Sequence, residues 1–591
     1  MRKVICLLMV IALCAALFSG CSNAVPAETQ TPAPTAAPAV TQAPAVTQAP
    51  EPTAEPSPYH FAEGNFPKDD RGLATGHYAY EMPISTTDEV ITMWTTNWTP
   101  QFIPEEGYAS MSLPTYDRNL TGVNIEYSIV ANDNRKENFS VLRASDDMLD
   151  IMCWAAQYYG GQDTDILSEG YFANIYDYRD YAPNFFYLTA NADPDDRNTY
   201  DRTFLSDTEV ASMWVIYANP VVNGCCMVRG DWLDKLGIKR DDIITWDDLF
   251  DTMTAVKSNF DTCPNPWGMY GSIDYSSAWV YTSYDTIPYV SSQTLGPYFI
   301  LDGKVTFSNT TDNDKAFIQD VLHRALDADL VQPNWTSVFQ GGDYVPQINA
   351  GEVFYMFMTC NDTQAYAKTN VDPNCTWIPL GSPLRTKDQI MKVGIDVNRL
   401  LPSCSFNFST KCENLKLAIS WCDWLFSPEG GELWSYGLEG ECWEYDVNGN
   451  RVATELIYNN ADGLSATWAY SLHAVYMGAM ALLFYNKRNF IMPETGAKSW
   501  DVAQFIIDWN HAHYIQHSAY PQGARLNDDE KEEIGNISGD LMTFIAENYM
   551  LFVTKSRSLT EWDSYTSELK SIGLDRVREI YQTAYDRYLK A

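Results

Sequence analysis

After its first seventeen residues the chain lacks any apolar run of the roughly eighteen residues that a membrane span needs. The best later stretch, Ala474 to Tyr485, is too short and contains Tyr476 and Gly478. Positive charge is also scarce: 39 Lys and Arg stand against 77 Asp and Glu, for a formal net charge of -38. That balance excludes nucleic acid and anionic membrane surfaces as natural partners and names no ligand. There is no His-Glu-x-x-His, no Gly-x-Ser-x-Gly and no phosphate-binding glycine loop. The 13 cysteines are scattered, with no Cys-x-x-Cys pair, so neither a zinc site nor a dense disulfide framework is expected. Cys404 and Cys412 are spaced for a bridge outside the cell, or for two buried thiols in an anaerobe. His511, His513 and His517 lie close together without a nearby thiol or fourth ligand, so no metal and no cofactor is expected.

What is present begins at the amino terminus. Met1, Arg2 and Lys3 precede the apolar stretch Val4 to Leu17 and then Phe18-Ser19-Gly20-Cys21, the charged, apolar, small-residue order of a secretory signal. The closing Gly-Cys pair resembles a bacterial lipobox. That resemblance implies cleavage after residue 20, diacylation of Cys21, and a mature protein held at the outer face of the cytoplasmic membrane. From Val25 to Pro58 the composition is almost wholly Pro, Ala, Thr, Gln and Glu, and Pro-Ala-Val-Thr-Gln-Ala occurs twice, at Pro38 and Pro44. Such a segment buries no core. It forms an extended tether of about 3 Å per residue, reaching on the order of 100 Å. Residues 59–84 then form a lead-in to the folded part.

The remaining residues, roughly 530, exceed what one hydrophobic core sustains and imply two lobes. Val90 to Trp94 reads as a strand, and Val123, Ile125, Tyr127 and Ile129 alternate as a second. A helical stretch from Asp133 to Ala144 leads to a third strand, Leu149 to Trp154. Strand, crossover helix and strand imply a parallel α/β sheet whose ligands lie beyond the carboxyl ends of the strands. Cys225 to Arg229 and Gly351 to Met358 read as further strands, and Leu415 to Phe426 as a helix with a core face. Gly237 suits a helix C-cap, and Thr245 with Asp248 a capping box. Glu444 to Val452 reads as a hairpin turned at Asn448-Gly449. From Leu464 onward the pattern predicts four helices.

This order of elements resembles the family 1 extracellular solute-binding proteins, in particular the longer lipoproteins that serve oligosaccharide importers of Gram-positive bacteria. The resemblance is carried by Leu120-Thr121-Gly122-Val123, by Ala144 through Ile151, by Arg229 to Gly237 and by Gly351-Glu352. Ser427-Pro428-Glu429-Gly430, Tyr436 through Gly440, Glu561-Trp562 and Ala584 through Tyr588 continue it to the carboxyl terminus. It implies an α/β, two-lobed, periplasmic-binding-protein-like fold of type II with a helix-rich C-terminal part. Lobe one takes residues 85–218 and 390–435; lobe two takes 219–389 and 436–591. It further implies a non-enzymatic, monomeric protein that clasps an oligosaccharide and passes it to the permease of an ABC transporter. Relatives often carry a calcium loop rich in Asp and Asn, but here Asn259 to Tyr270 offers Asp261 alone, too few oxygens for calcium.

A sugar ring has apolar C–H faces and a rim of hydroxyls, so its site needs flat aromatic surfaces and fixed polar groups. With 18 Trp in a chain that is 14% aromatic, the candidates are those at strand ends and in loops, whereas Trp232, Trp246, Trp421, Trp424 and Trp562 read as core. Trp94, Asn97 and Trp98 follow the first strand, and Trp154 and Tyr158 the third. Trp267, Tyr270 and Trp279 occupy loop-like sequence in the second lobe. Asn361 and Asp362 follow the strand that ends at Met358, Asp396 and Asn398 lie where the chain returns to lobe one, and Glu439 and Trp443 flank the hairpin. A tethered glycoside hydrolase using acids such as Glu439, Glu441 and Glu444 is the alternative enzyme reading. The same fold holding a peptide or another small solute is the other.

Overall fold

The computed structural model describes residues 57–590 apart from 98, 132–133, 160–162, 194, 217–223, 272–278, 289–297, 339–340, 360–361, 395–399, 465, 475–498 and 515–517. In chain order its strands begin with β1 (Val90–Thr95), β2 (Asn124–Ile129), β3 (Ile151–Cys153), β4 (Met213–Ile216), β5 (Gly224–Arg229) and β6 (Trp267–Gly268). They continue with β7 (Tyr298–Leu301), β8 (Lys304–Phe307), β9 (Tyr355–Thr359), β10 (Trp377–Leu380), β11 (Leu400–Phe408), β12 (Trp443–Tyr445) and β13 (Arg451–Ala453). Two sheets organise the molecule. The first has the order β2-β1-β3-β11-β4 and the second β10-β5-β9-β6. β1 runs parallel to β2 and to β3, as the strand–helix–strand pattern requires, whereas β11 lies antiparallel between β3 and β4. The α/β, two-lobed architecture expected from the sequence is therefore present.

Each sheet carries its own core. In the first, Met93, Ile151, Phe406, Phe408, Trp421, Trp434 and Phe185 are buried together. In the second, β5 is buried along its whole length and packs with Trp246, Trp267, Phe317 and Tyr355. The long helix Asp528–Val553 and the pair Trp562–Ile572 and Leu574–Tyr588 close this second core with Leu541, Tyr549, Phe552, Trp562, Tyr565 and Val577. Truncating one such fully buried indole to alanine costs about 3–5 kcal/mol.

Local signals behave largely as the sequence predicts. Thr245 and Asp248 form the capping box of Trp246–Asn259, and Gly237 ends Gly230–Leu236 at φ 68°. The differences have physical causes. Gly351, at φ 73°, caps the helix Val345–Ala350, so the strand expected from it starts only at Tyr355. The hairpin turns over Asp446 to Asn450, because the Asp446 carboxylate accepts from the Asn448 and Asn450 amides and widens the expected two-residue turn. Five helices, not four, follow Leu464 among the described residues, since Gly573 at φ 131° divides the last one. Trp443, Ala453, Ile457, Tyr470 and Ala474 pack into the first core. Cys412 is a free, buried thiol.

Two buried carboxylates pin the first lobe. Asp117 accepts the indole N–H of Trp421 at 3.0 Å and of Trp434 at 3.3 Å. Asp423 accepts the Phe185 amide at 2.7 Å, the Asn184 amide at 3.1 Å and the Tyr80 hydroxyl at 2.9 Å, which fastens the lead-in segment to the core. Burial pushes both carboxyls up to about 7, above the ordinary 3.8. The folded state thus binds more protons than the unfolded chain between those values. Their contribution to stability is full below about pH 4 and is lost as pH rises through 7. The Asp117→Asn variant should show a shallower loss of unfolding free energy between pH 4 and pH 7 in urea titrations; a slope equal to that of wild type would contradict this assignment.

Candidate functional site

The carboxyl ends of β1 and β3 lie side by side because the two strands pair in parallel, Met93 with Ile151 and Trp94 with Met152. Beyond β3 the chain turns sharply. Trp154 takes φ 65°, a left-handed conformation uncommon for a bulky side chain, and its amide donates to the Ser405 carbonyl at 2.6 Å. The short helix Ala156–Tyr158 follows. Trp94 is fully buried, and its indole N–H donates to Asn138 at 2.7 Å. Trp154 is 9% exposed, and Tyr158 is half-buried.

Arg135 joins these three rings. It is fully buried and its Nη2 donates to the Cys153 carbonyl at 2.6 Å. The guanidinium lies 4.8 Å from the ring centroid of Trp94, 5.0 Å from that of Trp154 and 5.4 Å from that of Tyr158. Sequence reasoning missed this residue. A signal existed: it opens the helix Arg135–Ser145, where the helix dipole disfavours a cation, so a partner elsewhere had to be sought.

The other expected site residues are distributed as follows. Asn97 is buried and its Oδ1 accepts from the amide and hydroxyl of Thr99, bending the chain after β1. Trp267 lies inside the second core between Trp246 at 5.9 Å and Tyr355 at 5.5 Å. Tyr270 is buried beside it and its hydroxyl donates to the Phe357 carbonyl at 2.6 Å. Trp443 donates from its indole to the Gly437 carbonyl at 3.0 Å, and the Arg451 guanidinium covers both it, at 4.5 Å, and Tyr436, at 4.0 Å. Glu439 is exposed at the hairpin rim, bridged through its backbone to Trp443. Trp279 opens a short helix and Asp362 begins Asp362–Thr369. Cys21, Trp98, Asn361, Asp396 and Asn398 lie outside the described residues. The structure thus gathers Trp94, Trp154 and Tyr158 around Arg135, places Trp267 and Tyr270 in the second core, and packs Trp443 under Arg451 in the first.

With this geometry in view, comparison with known proteins is informative. The chain is 23% identical over 384 residues to the fructooligosaccharide ABC transporter substrate-binding protein FusA of Streptococcus pneumoniae, a match covering 62% of this chain and 66% of that protein. It superposes on an HMO binding, ABC-transporter-associated solute binding protein from Bifidobacterium longum infantis with a TM-score of 0.65 and 16% identity, covering 84% of this chain and 99% of that one. The structure of FusA in complex with kestose gives a TM-score of 0.64 at 17% identity, covering 85% of this chain and all of that one. Its fold is that of the extracellular solute-binding proteins. No family model matches the chain.

Around Asn259 to Tyr270 the chain is fastened to Asp329 by nitrogen donors. Lys257 Nζ donates to the Ala328 carbonyl at 3.2 Å, the Asp329 carbonyl at 2.6 Å and the Asp329 carboxylate at 3.0 Å. Asn265 donates to the same carbonyl and carboxylate of Asp329 at 3.1 Å each. Among the described residues no group of three or more His, Cys, Asp or Glu is placed to hold a metal. Replacing Lys257 with Met should lower unfolding free energy by up to ~1 kcal/mol, and a chelator should leave the wild-type melting temperature unchanged. A melting temperature that falls on chelation would show that a cation, not the ammonium, closes this loop.

Proposed function

We propose that this chain is an extracytoplasmic binding lipoprotein, anchored through Cys21, that captures an oligosaccharide between its lobes and delivers it to the permease of an ABC transporter. The aromatic group at the carboxyl ends of β1 and β3 carries the reading. In a parallel sheet this is the edge at which ligands bind, and indole and phenol rings match the apolar faces of sugars. Tyr158, half-buried, and Trp154, at 9% exposure, are the less buried members of the group, and Asn97, Trp98, Asp396, Asn398, Asn361 and Asp362 are further candidates to meet the hydroxyl rim. The names of the structural relatives support a glycan over a peptide. In this reading the ligand settles on one lobe, the other closes over it, and the permease recognises the closed form. The closed population rises only by the ligand's preference for that state.

Isothermal titration of the mature protein with kestose, a panel of neutral and acidic oligosaccharides, and peptide controls tests the proposal. Saturable binding of a glycan without release of cleaved products is expected, and Trp154→Ala should weaken it by about tenfold or more, ~1.4 kcal/mol. Binding of peptides alone would contradict the proposal, as would glycan affinity indifferent to Trp154. For the anchor, Cys21→Ser should move the protein from the membrane fraction to the medium; retention at the membrane would refute it.

A further inference from the structure

We infer that Arg135 is the positioning residue of the ligand-facing rings, an inference that rests on the oligosaccharide reading above and deepens it. Its placement is unfavourable by every local measure. A fully buried guanidinium has lost its hydration, and at the first residue of the helix Arg135–Ser145 it meets the positive end of the dipole. Among the contacts that offset this are a 2.6 Å bond to the Cys153 carbonyl at the end of β3 and the faces of Trp94, Trp154 and Tyr158 within 5.4 Å. Arginine suits this place because its planar, delocalised cation stacks on aromatic faces, whereas a lysine ammonium is a compact point charge that keeps its water.

The three rings differ in exposure. Trp94 is fully buried and tied to Asn138, Trp154 is buried at 9% exposure, and Tyr158 is half-buried. Arg135 therefore ties the half-buried Tyr158 and the nearly buried Trp154 to an immobile ring. It also rests on the ring of Trp154, whose left-handed backbone persists only when its surroundings over-determine it. Rings held in their bound orientation before the ligand arrives lose little side-chain entropy on binding, and affinity rises accordingly. Because Arg135 is buried, it acts through Trp154 and Tyr158 and does not touch the sugar.

Two readouts test this, the first without ligand. In near-ultraviolet circular dichroism Arg135→Lys should lose aromatic ellipticity to at least the extent that Trp154→Phe does, with the far-ultraviolet spectrum unchanged; an unaltered near-ultraviolet spectrum overturns the inference. The second is a double-mutant cycle read by kestose titration. Arg135→Lys should weaken binding about tenfold in the wild-type background and less than twofold in the Trp154→Ala background. Equal losses in both backgrounds overturn a role exerted through the ring. If kestose binds neither wild type nor variants, that ligand choice fails while the spectroscopic comparison still decides the positioning role. Arg135→Gln, which keeps a donor for the Cys153 carbonyl, is the second variant. If both variants unfold, Arg135 is a determinant of the fold and the inference is overturned.

Discussion

One strand ties the two lobes into a single molecule. β11 inserts antiparallel between β3 and β4, pairing Phe406 with Cys153 on one side and with Met213 on the other. The first sheet is therefore complete only after the chain has left at the end of β4, built the second sheet, and come back. This return fixes the strand ends at which Trp154 sits, because the Trp154 amide bonds to Ser405 of β11 itself. The helical tail adds a second connection. Arg525 donates to the carbonyls of Asp201, Phe204 and Leu205, and Tyr588 donates to the Asp201 carboxylate at 2.7 Å. Elements that pack on the second core thus reach the first lobe away from its sheet.

Buried charge is used in a consistent way. In the second lobe Arg229 closes β5, fully buried, with its guanidinium 4.3 Å from the Trp232 ring and bidentate on Asp231 at 2.8 Å. Arg135 makes the corresponding junction in the first lobe, with rings and a carbonyl among its partners. Asp117 and Asp423 supply the opposite case, carboxylates sunk among indole and amide donors that hold the lead-in segment and two helices to one core. For the two arginines fixed acceptors and aromatic faces replace the lost hydration, whereas for the two aspartates burial outweighs the donors and holds the carboxyls up near 7.

Much of the fold was legible because period and capping are local. The alternation through Ile125 and Tyr127, the continuous apolar run of β5, and the Thr245 box all act within a few residues. The candidate residues were legible only as positions along strands and loops. Strand-end position selected Trp94, Trp154 and Tyr158, which do come together. The same rule applied to loop-like sequence chose Trp267 and Tyr270, which the second core absorbs, because loop composition does not distinguish a ring at a surface from one under it. Trp443 and its neighbours pack on the first core, and nothing local in a hairpin says which sheet it will cover. Arg135 went unnoticed for a similar reason: its meaning lies in three rings remote from it in sequence.

The central claim is that two lobes close around an oligosaccharide held against the rings at the ends of β1 and β3. Small-angle scattering of the mature protein, with and without a saturating concentration of a glycan shown to bind by calorimetry, tests it directly. Closure predicts a smaller radius of gyration in the bound state. An unchanged scattering profile at full occupancy would contradict the account.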